Sequence, residues 1–210
     1  MRKKLKKKIL LLGAGGHAKS CIDVIENHVD NNFLIMGLID KIKNNKIINN
    51  KYKVIGDDRD LKSIKKKISY AFVALGHIKK IKLREKIFKN LKSLGYKLPK
   101  IISKNAIISK KSRIGRGTIV MHGVTINSNV SIGDNCIINT RSVIEHDVII
   151  GDNCHIAPGA ILNGGVKVGD SCFVGSGSVI KENINVSKNS IIGANIFLRR
   201  DTSTNELIKK

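Results

Sequence analysis

The chain has 210 residues, 41% of them hydrophobic and 4% aromatic, with no tryptophan and a formal net charge of +23. That length has room for two modest domains with apolar cores. No run approaches the roughly twenty apolar residues that cross a bilayer, so no membrane insertion is expected. The positive charge would suit a polyanion, but it is spread thinly along a chain rich in Lys, Ile and Asn, and neither an aromatic stacking platform nor a basic recognition helix accompanies it. Nucleic acid is therefore not the expected partner.

In chain order, the basic stretch Arg2 to Lys8 leads into the short apolar strand Ile9-Leu10-Leu11-Leu12. This is too brief for a signal-peptide core, and the expected location is cytoplasmic. Gly13-Ala14-Gly15-Gly16-His17-Ala18 then makes a tight loop into an amphipathic helix over about residues 19–28, with Ile22, Val24 and Ile25 on its buried face. A second strand, Phe33–Ile39, ends in Asp40. Val54-Ile55-Gly56-Asp57-Asp58 reads as a strand end and turn before a helix through Leu61 and Ile64. Residues 70–75 form another buried strand ending at Gly76, and residues 81–94 a helix stopped by Gly95. Alternation of strand and helix implies a parallel sheet with crossover helices. The glycine loop has the form of a phosphate- or sugar-binding turn at a helix N-terminus. The domain is too short for the two halves that hold a dinucleotide, so NAD is not expected.

The second half has a different grammar. An aliphatic residue stands at every sixth position from Ile102 to Ile192, and a small or compact residue follows four places after each: Thr118, Cys136, Ser142, Cys154, Cys172 and Ser178 are examples. A helix repeats its apolar face every three to four residues and a strand every two. A period of six instead fits short strands joined by tight turns, three to a coil of eighteen residues, whose aliphatic corners stack into a solenoid core of about five coils. Cys136, Cys154 and Cys172 are spaced one coil apart. They occupy the small-residue slot and read as buried packing residues, as does Cys21, rather than as a disulfide ladder or a metal site.

These units, with Ile114-Gly115, Ile132-Gly133, Ile150-Gly151 and Val168-Gly169 among them, resemble the hexapeptide-repeat acyltransferases, whose solenoid is a left-handed parallel β-helix. An N-terminal Rossmann-like α/β domain opening with Gly-Ala-Gly-Gly-His, a link near Leu98-Pro99, and a C-terminal hexapeptide β-helix together resemble the sialic acid O-acetyltransferase (NeuD) family. That family includes the PglD-like acetyltransferases of nucleotide-linked 4-amino sugars. The resemblance is sharpest over Asn139-Thr140-Arg141-Ser142-Val143-Ile144-Glu145-His146-Asp147 and continues through Cys154-His155-Ile156. It implies His146 as general base, Asp147 as its acidic partner, and His155 near the thioester of acetyl-CoA together with Ser176 and Ala194. Gly15, Gly16, His17, Asp40 and Gly76 would hold the nucleotide sugar, with Asn139 beside the acceptor. It also implies a homotrimer with each acetyl-CoA site shared between neighbours.

Chemistry supports the assignment separately. Attack of an amine or hydroxyl on a thioester needs a base that titrates near neutrality, and a carboxylate stabilises the imidazolium formed. His146 should project from the solenoid wall, as should His155, and backbone N–H groups of a neighbouring coil are available for the oxyanion. A Cys154/His155 dyad fails because neighbouring residues face opposite sides. His122 and His146 are one coil plus one face apart, so no metal site is expected. His28 and His77 read as loop or surface residues.

The expected function is acetyl transfer from acetyl-CoA to the amino group of a nucleotide-activated amino sugar. O-acetylation of a sialic-acid-like sugar and a non-catalytic nucleotide-sugar-binding partner stand as alternatives. The expected organisation is residues 1–98, residues 99–200 and a C-terminal tail of residues 201–210. Relatives continue past the last coil through a segment resembling Val-Gly-Asn-Pro-Ala-Lys. Its absence here makes Arg199 and Arg200 candidate partners for the coenzyme's phosphates.

Overall fold

The computed structural model describes residues 6–27, 32–41, 47–76 and 81–209. It separates into two compact units, Met1–Ile101 and Ile102–Lys210.

The first unit is a five-stranded sheet in the order β3-β4-β2-β1-β5, built from β1 (Lys7–Leu12), β2 (Phe33–Ile39), β3 (Ile47–Ile48), β4 (Tyr52–Gly56) and β5 (Tyr70–Val73). β1 lies inside the sheet, parallel to both β2 and β5, while β2 is parallel to β4. β3 is antiparallel to β4, a short hairpin with no alternating pattern to announce it. Leu10, Leu11 and Leu12 are almost wholly buried, as an interior parallel strand covered on both faces requires. Each such side chain contributes roughly 1.5–3 kcal/mol to the core. α1 (Gly16–Glu26) buries Ala18, Cys21, Ile22, Val24 and Ile25. It starts earlier than the apolar pattern suggests, because Gly15 takes an extended N-cap conformation directly after the loop. α2 is the short turn Leu61–Ile64, and α3 (Ile81–Ser93) sends Phe88 and Leu91 into a cluster with Leu10, Leu12, Val73 and Tyr96.

The second unit is the left-handed parallel β-helix of hexapeptide repeats. Two-residue strands stack into three walls. Wall one runs from Ile107–Ile108 through Val143–Ile144 and Ile161–Leu162 to Phe197–Leu198. Wall two runs from Arg113–Ile114 through Ile149–Ile150 to Asn185–Val186, and wall three from Ile101–Ile102 through Ile119–Val120, His155–Ile156 and Phe173–Val174 to Leu207–Ile208. All pairings are parallel, and up to Phe197–Leu198 their register is eighteen residues, for example Val143 with Ile161 and Ile149 with Lys167. The second residue of each pair fills the prism: Ile126, Ile144, Leu162 and Ile180 are at most 1% exposed.

The turns explain the asparagines. At every sixth residue from Gly117 to Asn195 the backbone φ lies between 53° and 71°. That left-handed region is open to Gly and tolerable to Asn and Asp, and Asn129, Asn135, Asp147, Asn153 and Asn183 occupy it.

Thr118, Cys136, Cys154, Cys172 and Ser190 form one vertical file. Each donates to a carbonyl of the following coil: Thr118 to Gly133 at 2.8 Å, the three thiols to Gly151, Gly169 and Ser187 at 3.1 Å, and Ser190 to Ser203 at 3.1 Å. The cysteines are free and fully buried. They are thus more than small apolar fillers, since each thiol completes a coil-to-coil hydrogen bond.

Residues 201–209 are not a tail. Leu207–Ile208 pairs in parallel with Ile191–Ile192, so the last coil has a register of sixteen residues instead of eighteen. The shortened side leaves wall two without a further strand. The side chains of Asp201 and Thr202 replace it, accepting from the Asn185 and Ser187 N–H groups at 2.8 Å each. The aliphatic period breaks after Leu198, which is why this coil is not visible as a repeat.

Candidate active site

His146 and Asp147 sit in the corner that follows the wall-one strand Val143–Ile144. Their peptide is locked from both sides: Asp147 N–H donates to the Ser128 carbonyl of the preceding coil at 3.0 Å, and the His146 carbonyl accepts from Gly165 N–H of the next at 3.0 Å. Asp147 takes the left-handed turn conformation, φ 61°, which turns its carboxylate back towards the preceding side chain. Its Oδ2 lies 2.8 Å from His146 Nδ1. This fixes Nδ1 as the protonated nitrogen and leaves Nε2 as the basic one. The hydrogen bond from His146, and secondarily one from Asn129, hold the Asp147 carboxyl below its ordinary pKa, so it stays ionised through the neutral range. The His146 side chain is 64% exposed and faces outward as expected.

The imidazole has a seat that the sequence did not announce. A Cβ on Gly164 would lie 2.6 Å from His146 Cε1 and 2.7 Å from Nε2, so the ring rests directly over the glycine one coil further on. The only available signal was a glycine eighteen residues after the histidine, and it is masked by the run Asn163-Gly164-Gly165. Glu145 is anchored by Asn127, whose Nδ2 donates to Oε2 at 2.8 Å.

Asn139 and His155 come together on wall three, away from the His146 corner. Asn139 Nδ2 is 3.1 Å from His155 Nε2, while Asn139 Oδ1 accepts from Thr140 N–H at 2.8 Å. The amide is thereby oriented to donate, and Nε2 is the acceptor. The Phe173 ring meets His155 edge-on at 5.2 Å. His155 was expected to stand exposed on the outer wall, but it is only 7% exposed. Its ring lies along the file of outward residues between Ile137 and Phe173, which shield it. Ser176 and Ala194 are exposed in successive turns beyond wall three, tied by a hydrogen bond from Asn195 N–H to the Ser176 carbonyl at 2.9 Å. Of the two arginines near the solenoid's end, Arg200 is engaged by Glu206 (Nη2 to Oε1 2.6 Å) and Arg199 lies over the Phe197 ring at 4.7 Å. Arg200 therefore already serves the last coil. His122 Nδ1 lies 2.6 Å from Ser103 Oγ, and no grouping of His, Cys, Asp or Glu among the described residues has metal-site geometry. His28 and His77 lie outside the described residues.

In the first unit, the loop after β1, Asp40 after β2 and Gly76 after β5 all stand at the carboxyl ends of parallel strands. β1 is where the strand order reverses, the usual place for a ligand in an open α/β sheet. Asp40 Oδ2 accepts from Ala14 N–H at 2.7 Å and braces the loop. Gly13 has φ 109°, and a Cβ there would strike the Leu75 side chain at 2.7 Å. In contrast, a Cβ on Gly15 or Gly16 meets nothing within 4 Å, so their faces at the start of α1 are open to a ligand. Gly76 packs on His17, whose Cβ would be 3.2 Å from a Cβ at that position. Arg84, missed from the sequence, is 1% exposed and donates to the carbonyls of Val73 and Leu75 at 2.7 and 2.6 Å. It fixes the strand end that presents Gly76.

Residues 8–91 match the family model of the PglD N-terminal domain. Residues 105–146 and 129–164 match that of the bacterial transferase hexapeptide (six repeats), and residues 165–200 the hexapeptide repeat of succinyl-transferase. The chain is similar to PerB of Caulobacter crescentus, solved with CoA and GDP-perosamine: 32% identity, TM-score 0.88, over 95% of this chain and 92% of that one. It is also similar to the acetyltransferase domain of PglB from Neisseria gonorrhoeae, solved with acetyl coenzyme A: 27% identity, TM-score 0.88, over 96% and 95%. With both halves matched in order and the His146–Asp147 pair formed, the chain belongs to the PglD-like family of hexapeptide-repeat N-acetyltransferases.

Proposed function

We propose that this protein transfers the acetyl group of acetyl-CoA to the amino group of a nucleotide-activated 4-amino sugar for surface glycan synthesis, in the cytoplasm. The observation that carries this reading is the oriented His146–Asp147 pair, seated on Gly164 at an exposed corner of the solenoid.

The neutral amine attacks the thioester carbonyl, and His146 Nε2 takes the proton that the nitrogen loses. Asp147 stabilises the imidazolium so formed. Collapse of the tetrahedral intermediate breaks the C–S bond, and the proton passes from His146 to the departing CoA thiolate. No acyl-enzyme is needed, and the buried Cys154 is not a nucleophile. Gly164 belongs to the coil after His146, and its N–H takes no part in the coil-to-coil ladder, which makes it our candidate donor to the oxyanion. The nucleotide is assigned to the open glycine loop Gly15-Gly16-His17 with Asp40 and Gly76. Acetyl-CoA is assigned to His155, Ser176 and Ala194, and Asn139 to the acceptor side.

His146 stands on a different corner from Asn139 and His155. A site using all three is best completed by a neighbouring copy, so we propose a homotrimer; a monomer by light scattering with full activity would sink it. The function is tested by following CoA release with UDP- and GDP-linked amino sugars, GDP-perosamine among them, beside their 4-hydroxy counterparts. Release confined to the amino sugars supports N-acetylation. Release with the hydroxy sugars, or none with any, overturns it.

A further inference from the structure

We propose that Asn129 is a positioning residue for catalysis, holding Asp147 in the rotamer that orients His146; this rests on His146 being the general base. Asn129 lies one coil below Asp147 at the same left-handed turn position, φ 62° against 61°. Its Nδ2 donates to Asp147 Oδ1 at 3.2 Å, while Oδ2 of the same carboxylate faces His146 Nδ1 at 2.8 Å. The two carboxylate oxygens are thus divided, one for the preceding coil and one for the base.

An exposed hydrogen bond of this kind is ordinarily worth little, since water replaces it and two side chains must be ordered. Here the backbone has already done most of the ordering. Both residues are held in tight turns, and Asp147 N–H is tied to the Ser128 carbonyl next to Asn129. A carboxylate on a single bond to Cβ can rotate about χ2, and rotation would turn its oxygens away from Nδ1. The Asn129 amide closes that freedom. The same contact contributes to keeping Asp147 ionised. Asn129 and Asp147 also line one side of a groove of about 410 Å³ with Lys111, Arg113, Ser131 and Ile149.

The alternative is a purely structural role, because side-chain ladders link turns elsewhere, as Asn135 Nδ2 does to Asn153 Oδ1 at 2.8 Å. Asn129→Gly separates the two, since glycine keeps the left-handed turn and removes only the amide. We expect kcat to fall by roughly tenfold, within the range caused by sub-ångström misplacement of a reacting group. KM for both substrates and the melting temperature should stay near wild type. The decisive readout is a double-mutant cycle with Asp147→Asn: once the carboxylate is gone, Asn129→Gly should cost nothing further. An unchanged kcat in Asn129→Gly, or the same loss in both backgrounds, overturns the proposal. Loss of all activity in Asp147→Asn and His146→Ala with no effect of Asn129→Gly would leave the general-base reading standing and remove only this inference.

Discussion

Replacing Gly164 by alanine tests the seat of the catalytic base. The added methyl would lie 2.6 Å from His146 Cε1 and 2.7 Å from Nε2, where ordinary contact begins at 3.4 Å. The ring must therefore retreat by about 0.8 Å, the difference between 3.4 and 2.6 Å. Gly164 does not have a left-handed φ, so alanine brings no backbone strain. The imidazole is the far end of an exposed side chain and can swing outward at little cost in stability. Its catalytic cost is another matter, since displacement of a reacting group by about 1 Å can lower a rate by about 10²-fold, or about 2.7 kcal/mol of barrier. We expect kcat, measured as CoA release, to fall by about that factor while the melting temperature moves by no more than a degree or two. Gly164→Ala in a His146→Ala background should lose nothing more, because no ring remains to be displaced. Wild-type turnover in Gly164→Ala, or a second full loss on top of His146→Ala, would refute the reasoning.

His146→Ala should lower kcat by about 10²- to 10⁴-fold, the usual weight of a general base. Asp147→Asn should be milder, since asparagine keeps the left-handed turn and loses only the charge; steady-state kinetics with equal or larger loss for Asp147→Asn would reverse their roles. Thr202→Val should remove the acceptor for Ser187 N–H in a site only 6% exposed, costing about 1–3 kcal/mol. The melting temperature should drop by several degrees with kcat retained, and hydrogen exchange should show the loss confined to the last coil. All four free cysteines are buried, and burial pushes the Cys21 thiol up to about 12. An aromatic disulfide reagent should therefore find no fast-reacting thiol in the native protein and four after denaturation; a fast native equivalent would contradict the packing.

The solenoid was legible because its period is strict: one inward aliphatic residue per hexad fits three short strands to a coil, whereas the left hand of the coil came only with the family resemblance. Less of the turn chemistry was legible. Asparagine registered only as part of the chain's composition, yet the left-handed corners at Asn129, Asn135, Asn153 and Asn183 favour a residue of that kind. The end of the solenoid was missed because Asp201 and Thr202 cap the wall with side chains where the repeats use backbone, so the aliphatic period disappears while the coil continues. His146 and Asp147 could be read as adjacent letters of a motif. Gly164 could not, since its relation to His146 exists only once eighteen residues have been wound into a coil. Arg84 was hidden for a different reason. A basic residue on an amphipathic helix ordinarily lies at the surface, and the two strand-end carbonyls that Arg84 meets belong to a strand outside its own helical pattern.

The period that builds the fold also builds the catalytic corner. Residues eighteen apart stack vertically, so a side chain in one turn is supported by its counterparts above and below: Asn127 under Glu145, Asn129 under Asp147, Gly164 over His146. The base therefore acquires its orientation from three consecutive coils without any insertion or loop. A left-handed turn is the place where an aspartate is tolerated by the backbone, and there Asp147 can reach back to the residue before it. A carboxylate in a strand position would point into the prism or straight out, and in neither case could it meet its own neighbour's ring. The requirement for a turn residue and the requirement for an acid are met by the same side chain. That coincidence makes Asp147→Ala a poor probe of charge alone, since it removes the carboxylate and strains the corner together, whereas asparagine separates the two effects.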